Sequence, residues 1–194
     1  MKLAEKRALK KKEEILRAAA AIINREGYAG TTMEEIAADL LMTKGALYYY
    51  YKNKSELLYE CHNLVLSAAI EDQKEVLEKG GDIEETLITM IAVHLDYAIE
   101  EKEVFNLITK PDQVFTEKQL EAALKLRRTY AGLFDQIINK GNEEGRFSLE
   151  DPLIARMIIL GSMNWIQQWY RGDGRISKEE LQRIFAKYIL KLLK

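Results

Sequence analysis

Hydrophobic residues recur at steps of three and four along almost the whole chain, which is the spacing of one buried face of an α-helix. Alternating runs of β-branched residues are missing, and prolines occur only at positions 111 and 152. The pattern therefore predicts an all-α fold of about nine helices. Capping signals set the boundaries. The predicted helices cover residues 6–26, 33–40, 44–50, 54–79, 82–101, 104–109, 117–145, 152–170 and 178–192.

The first three helices have the lengths of a helix-turn-helix module. The second and third are short and are joined by only Leu41, Met42 and Thr43, which is the connection that places a helix in a DNA major groove. We therefore assign residues 1–54 to a DNA-binding domain, and residues 55–194 to a second helical domain.

The distribution of charge supports this division. The net charge is −2, but residues 1–54 carry 11 Lys and Arg against 7 Asp and Glu, whereas the remaining residues carry 18 against 24. A basic head on an acidic body confines the attraction for phosphate to one end of the molecule. The excess of four charges is small, and alone it does not distinguish a DNA-binding head from chance variation.

The predicted recognition helix presents one face to the core and another to DNA. Leu47 is its inward anchor. The opposite face offers hydroxyls, one cation and a glycine that permits close approach of the backbone. Two further residues stand at helix starts, where backbone amides favour a phosphate. The candidate DNA contacts are Thr32, Thr43, Lys44, Gly45, Tyr48, Tyr49 and Lys54. The basic N-terminal arm either adds contacts to phosphate or the minor groove, or is a solvated helix start; its cations are Lys2, Lys6, Arg7, Lys10, Lys11 and Lys12.

Residues 10–58 resemble the N-terminal domain of tetracycline-repressor (TetR) family regulators. The shared pattern is a glycine-aromatic turn, Thr-Thr, Ile-Ala, Ser/Thr-Lys-Gly, Leu-Tyr and Lys-x-Glu-Leu. The matching positions are Gly27, Tyr28, Thr31, Thr32, Ile36, Ala37, Thr43, Lys44, Gly45, Leu47, Tyr48, Lys54, Glu56, Leu57 and Leu58. The resemblance implies that the candidate contacts touch DNA.

Three positions depart from the family pattern. Leu41 replaces the glycine usual in the turn, which predicts either a different turn geometry or a continued helix. Tyr49 stands where many members carry histidine, and Tyr51 where they carry phenylalanine. The tyrosine at 49 retains the ability to hydrogen-bond to phosphate.

The last two long helices carry apolar residues around most of their circumference, which indicates burial on two sides. One side faces the domain itself, and the other a second subunit, so the pattern predicts a homodimer with a four-helix interface. Two reading heads about one DNA turn apart would then recognise a near-palindromic operator.

The resemblance to TetR regulators implies that the second domain, residues 55–194, serves effector binding as well as dimerisation, in an apolar pocket with a few polar groups. Its candidate lining is His62, Met90, His94, Tyr97, Phe134, Asn164 and Trp165. The alternative for each of them is an ordinary core residue. Cys61 beside His62 invites a metal site, but one cysteine and two histidines are a poor ligand set, so we expect neither a metal nor a cofactor.

Residues 161–181 resemble the TetR-family regulators of fatty-acid and acyl-CoA degradation. The matching positions are Asn164, Trp165, Trp169, Tyr170, Arg171, Gly174, Arg175 and Ser177. This resemblance implies an acyl-CoA effector that releases the protein from DNA. Packing and loop closure are the alternative explanation of the same residues.

The sequence thus predicts a ligand-responsive repressor that acts as a homodimer on double-stranded DNA. The alternatives are the same fold with a drug or aromatic effector, and a nucleoid-binding protein that ignores small molecules. An enzyme is not expected, because no catalytic triad, glycine-rich phosphate loop or acid pair is present. The charged start, the single cysteine and the lack of a long apolar run predict a cytoplasmic protein outside the membrane.

Overall fold

The computed structural model describes residues 3–27, 29–102, 104 and 115–194. Within these ranges the protein folds into α-helices without a β-strand, which confirms the predicted fold class. The helices are α1 (Leu3–Glu26), α2 (Met33–Asp39), α3 (Lys44–Tyr50), α4 (Lys54–Lys79), α5 (Ile83–Glu100), α6 (Glu117–Glu143), α7 (Pro152–Asn164), α8 (Ile166–Trp169) and α9 (Lys178–Leu193).

Most helices begin where the capping residues predict. Thr32 and Thr43 cap α2 and α3, and Asp151 accepts hydrogen bonds from the first amides of α7. The prediction of one uninterrupted helix over 152–170 is wrong, because it is interrupted at Trp165, with Ile166 on the far side fully buried. The predicted helix 104–109 lies, apart from Val104, outside the described residues.

The chain forms two compact units. The first consists of the described parts of Met1–Val65 and Glu103–Lys125, and the second of Leu66–Lys102 and Leu126–Lys194. The division falls within two long helices, α4 and α6. The predicted boundary between residues 54 and 55 stays a prediction.

In the first unit, α1, α2 and α3 share a small apolar core. Ile15, Ile36 and Leu47 are fully buried and come from one helix each. Arg25 on α1 also pairs with Asp39 at the end of α2, at 3.0 Å. This core fixes α3 with its outer surface free.

The second unit is built on a larger core from α4 to α9. Leu87, Ile91, Phe134, Ile138 and Ile159 are all fully buried there. None of the helices in the described ranges is sufficiently long and apolar to cross a membrane.

Near the end of α6, Gly141 lets the backbone close tightly on an aromatic ring. The amides of Arg146 and Phe147 both donate to the Gly141 carbonyl, at 2.8 and 3.0 Å, and a Cβ at position 141 would overlap the Phe147 ring. Phe147 is 3% exposed, so it has little room to move away. This corner therefore requires glycine.

Candidate DNA-binding and effector sites

The turn between α2 and α3 keeps the glycine conformation although it contains leucine. Leu41 has φ 53°, in the left-handed region, and its side chain is 96% exposed. The Leu41 amide donates to the Ala38 carbonyl at 3.0 Å, and the Met42 amide to the Ala37 carbonyl at 2.8 Å. These two bonds are the Schellman pattern that ends a helix. The helix therefore does not continue, and the left-handed leucine costs roughly 1–2 kcal/mol.

The outer surface of α3 carries the candidate DNA contacts together. Leu47 is fully buried as predicted, whereas Tyr48 is 39% exposed and Tyr49 84% exposed. Thr43 accepts a hydrogen bond from the Ala46 amide at 3.2 Å, so its hydroxyl proton points to other acceptors. The exposed members of this set are Thr43, Lys44, Gly45, Tyr48 and Tyr49. They form one polar surface of hydroxyls and a cation, which suits phosphate and base edges.

Lys44 is engaged within the head itself. Its ammonium group lies 2.5 Å from Glu34 Oε1 and 5.6 Å from the centre of the Tyr48 ring. The hydrogen bond from Lys44 lowers the pKa of the Glu34 carboxyl, and the same bond raises the pKa of Lys44. Both side chains are exposed. The ion pair therefore holds the Lys44 ammonium group over the α3 surface. Because the pair is exposed, separating Lys44 from Glu34 costs little free energy.

The other two candidates have local partners. The Thr32 hydroxyl accepts from the Glu35 amide at 3.2 Å, and the Thr32 amide donates to Glu35 Oε2 at 2.7 Å, which completes a capping box. The Lys54 ammonium donates to the Thr31 carbonyl at 2.5 Å, and partial burial lowers its pKa. Both residues thus stabilise the head, and their contact with DNA stays a prediction.

Gly45 has no structural reason within the head to be glycine. It lies in the first turn of α3, and an added Cβ would meet no atom within 4 Å. We expect Gly45→Ala to stabilise the free protein by about 0.5–1 kcal/mol, because alanine loses less backbone entropy in a helix. If α3 binds DNA with this surface, the same methyl group would separate the backbone from the DNA, and affinity should fall at least tenfold. Thermal denaturation and DNA titration measure the two effects, and unchanged affinity would contradict close backbone approach.

The second unit contains a buried chain of polar groups. Gln73 Nε2 donates to the Met90 carbonyl at 2.9 Å and to the Tyr130 hydroxyl at 3.2 Å. The Tyr130 hydroxyl in turn lies 2.8 Å from His94 Nδ1, with which it shares a hydrogen bond. The rings of His94 and Phe134 meet edge to face at 6.1 Å. This chain joins α4, α5 and α6, and it brings together three of the predicted effector residues.

The remaining predicted effector residues are placed differently. Asn164 lies near enough to His94 to raise the pKa of its ring. The Tyr97 hydroxyl donates to Asp72 at 2.7 Å on the surface, and Trp165 is 65% exposed. His62 belongs to the first unit, where its ring lies 6.1 Å from that of Phe115. The buried cluster therefore includes only part of the predicted set.

Two members of this cluster were missed from the sequence. Gln73 is fully buried, and its Oε1 atom has no hydrogen-bond partner among the described residues. Gln73 lies on the same apolar face of α4 as Ala69 and Ile70. A single amide among apolar core positions is the feature of the sequence from which a buried polar contact could have been predicted. Tyr130 is one helical turn before Phe134 on the same face of α6.

His94 makes the stability of the protein sensitive to acid. Burial lowers its pKa to about 4, against the effect of the nearby Asn164, which raises it. The unfolded chain binds this proton near pH 6.5, so the free energy of unfolding falls as the pH drops below 6.5. Tyr130, its titratable neighbour, stays neutral because burial raises its pKa.

We expect about 2 kcal/mol of stability to be lost from this residue between pH 6.5 and 5. Urea denaturation at both pH values, for the wild type and His94→Gln, isolates the contribution. Equal pH dependence in the two proteins would mean that His94 is not buried as a neutral ring.

Large apolar side chains remain exposed on α7, α8 and α9 and at Trp165 between α7 and α8. Each of them is about half exposed, between 46% and 65%. They are Leu153, Ile154, Met157, Ile158, Trp165, Trp169, Tyr188 and Leu192. A groove among these side chains is lined by Ile158, Ser162, Phe185 and neighbouring residues of α7 and α9. We call these eight residues the apolar face.

Each of the two units contains most of a segment that matches a known protein-family model. Residues 15–61 match the family described as bacterial regulatory proteins, tetR family, and residues 80–193 match the tetracyclin repressor-like C-terminal domain. The fatty acid metabolism regulator protein of Bacillus subtilis (strain 168) is 24% identical over 167 residues, which cover 84% of each chain.

Two solved structures are similar over nearly the whole chain. The TetR family transcriptional regulator PfmR from Thermus thermophilus has a TM-score of 0.84 and 28% identity, covering 91% of this chain and 97% of its own. AibR, solved in complex with isovaleryl coenzyme A and operator DNA, has a TM-score of 0.79 and 25% identity, covering 94% and 97%. With a helix-turn-helix head and a matching C-terminal domain, the chain belongs to the TetR family of DNA-binding bacterial transcriptional regulators.

Proposed function

We propose that this protein is a homodimeric repressor that leaves a near-palindromic operator when an acyl-CoA binds its second unit. The observation that carries the DNA-binding part is the exposed polar surface of α3, held outward by the fully buried Leu47. This surface offers DNA the hydroxyl groups of Thr43 and Tyr49 and the ammonium group of Lys44. Gly45 lets the backbone of α3 approach the DNA closely.

Dimerisation is part of the proposal because one head alone binds weakly. The apolar face supports it, since monomeric proteins rarely expose large contiguous apolar patches. Pairing α7 and α9 of two copies would bury this surface in a four-helix interface. The two heads would then read two half-sites about one DNA turn apart.

The effector class rests on the buried polar chain and on the relatives. His94 is neutral near pH 7, and Gln73 Oε1 is a buried acceptor without a partner among the described residues. A neutral ligand with N–H donors suits such a site better than a free carboxylate does. Acyl-CoA has a neutral thioester and amide donors, and AibR was solved with isovaleryl coenzyme A. Binding would shift the population away from the DNA-binding form.

The DNA-binding proposal is tested with a duplex enriched from a random pool by the wild-type protein. Lys44→Gln should weaken binding and flatten its salt dependence, because a phosphate contact is lost. Glu34→Gln should strengthen binding, because Lys44 is released from its ion pair. The matched control is Lys79→Gln on the exposed end of α4. Wild-type affinity in both head variants would refute the assignment of α3.

The effector proposal is tested by thermal shift and by release from the same duplex. Isovaleryl-, octanoyl- and benzoyl-CoA are compared with the free acids and with coenzyme A alone. We expect stabilisation and DNA release by at least one acyl-CoA, and loss of both in Gln73→Leu. A response confined to free acids, or none to any thioester, would exclude the acyl-CoA class.

A further inference from the structure

The first turns of α1 project beyond the core of the first unit. Packing begins at Ile15, which is fully buried, whereas residue 3 and residues 5–12 are all exposed. At 1.5 Å per residue, the helix from Leu3 to Ile15 extends about 18 Å. This segment, residues 3–12, is here called the basic arm.

The charge of the basic arm is strongly one-sided. It carries five cations against a single acid, Glu5. Lys6, Arg7 and Lys10 form no ion pair within the described residues, while Lys11 lies 3.6 Å from Glu14. The cations are therefore available to an external partner.

The arrangement of these charges is unfavourable for an isolated helix. Lys6 lies four residues from Lys10, and Arg7 four from Lys11, so like charges stand next to each other on one face. Positive groups in the first turns also oppose the helix dipole, which favours acids there. A bound polyanion would reverse both effects.

The root of the basic arm is fixed beside the recognition helix. The Tyr51 hydroxyl donates to the Lys12 carbonyl at 3.4 Å, and the Lys12 ammonium lies 5.9 Å from the centre of the Tyr51 ring. Tyr51 directly follows α3, and it is 3% exposed. The cationic face thus begins next to the end of the surface that carries the candidate DNA contacts.

We infer that the basic arm is a second DNA-binding element, a preformed helix whose Lys6, Arg7 and Lys10 contact backbone phosphates beside the half-site. The inference rests on the proposed DNA-binding function and extends it from one helix to two. The contacts are to phosphate, so they add affinity for any sequence and leave base recognition to α3.

A lipid surface is a poorer occupant for the same charges. A membrane-binding helix needs a continuous apolar face opposite its basic one. The two exposed leucines of the basic arm, Leu3 and Leu9, are six residues apart and so lie on different sides, with Leu3 among the cations. No apolar face is formed, so DNA fits the observations better.

The test measures the salt dependence of binding to the duplex that the wild type enriches from a random pool. The variant is Lys6→Gln, Arg7→Gln and Lys10→Gln combined. The matched control combines Lys79→Gln, Lys140→Gln and Lys187→Gln, three exposed cations of the second unit. Melting temperatures of both variants should equal that of the wild type, because all six side chains are exposed.

We expect the arm variant to bind at least tenfold more weakly, with the slope of log K against log salt reduced by up to about 5 for a dimer. The control should keep the wild-type slope. Equal slopes in the arm variant and the wild type would overturn the inference while leaving the proposed function intact. Failure of the wild type to enrich any duplex would overturn both. Loss of binding to phosphatidylglycerol vesicles, with an unchanged DNA slope, would identify a lipid surface instead.

Discussion

Replacing Ile158 with aspartate is expected to convert the proposed homodimer into monomers and to abolish tight operator binding. Ile158 is 50% exposed and lines the groove of the apolar face, so a carboxylate there is solvated in the monomer. In a symmetric interface two such carboxylates would be buried without partners, at several kcal/mol each. The dissociation constant of the dimer should therefore rise at least 100-fold.

Sedimentation velocity across a dilution series measures this change. The matched control is Ile88→Asp on α5, which makes the same chemical change at a side chain that is 38% exposed outside the apolar face. It should leave both the dimer and the DNA affinity intact. If the Ile158→Asp protein remained a dimer, the subunits would have to associate through another surface of the chain.

The second large effect is expected at the corner that closes α6. Gly141→Ala places a methyl group inside the volume of the Phe147 ring, and the amides of Arg146 and Phe147 fix the backbone beside it by donating to the carbonyl of residue 141. Overpacking of this kind costs about 1–3 kcal/mol. In a chain of this size, the melting temperature should fall by about 3 to 10 °C.

Gly132→Ala in the same helix is its control. An added Cβ at position 132 would meet no atom within 4 Å, so alanine should be neutral or slightly stabilising there. Differential scanning calorimetry of both variants measures the contrast. Equal melting temperatures would mean that Phe147 moves aside without cost.

The head could be predicted closely from the sequence because its signals are local. Thr32 with Glu35 specified the start of α2, and Thr43 that of α3, through hydrogen bonds spanning three residues. Leu47 was identified as the anchor because the other residues of α3 are polar, small or aromatic. The geometry of the turn at Leu41 is not predictable from the sequence, since its left-handed φ of 53° opposes the intrinsic preference of an L side chain.

The body was harder because its polar contacts join distant parts of the chain. The hydrogen bond between Gln73 and Tyr130 spans 57 residues, and that between Tyr130 and His94 spans 36. The periodicity of apolar residues predicts which face of its helix each residue occupies. It does not predict which residue of another helix lies opposite. The same limit applies to Trp165, which was assigned to a pocket and lies on the surface. The break in the helix at that residue had no signal in the apolar pattern.

The position of the two tryptophans gives the protein a natural optical reporter. The chain contains only Trp165 and Trp169, and both belong to the apolar face, 65% and 47% exposed in the single chain. Pairing of two copies would transfer both indoles from water to an apolar interface. Their emission should therefore shift to the blue on assembly, so dilution followed by fluorescence reports the association of subunits without any label.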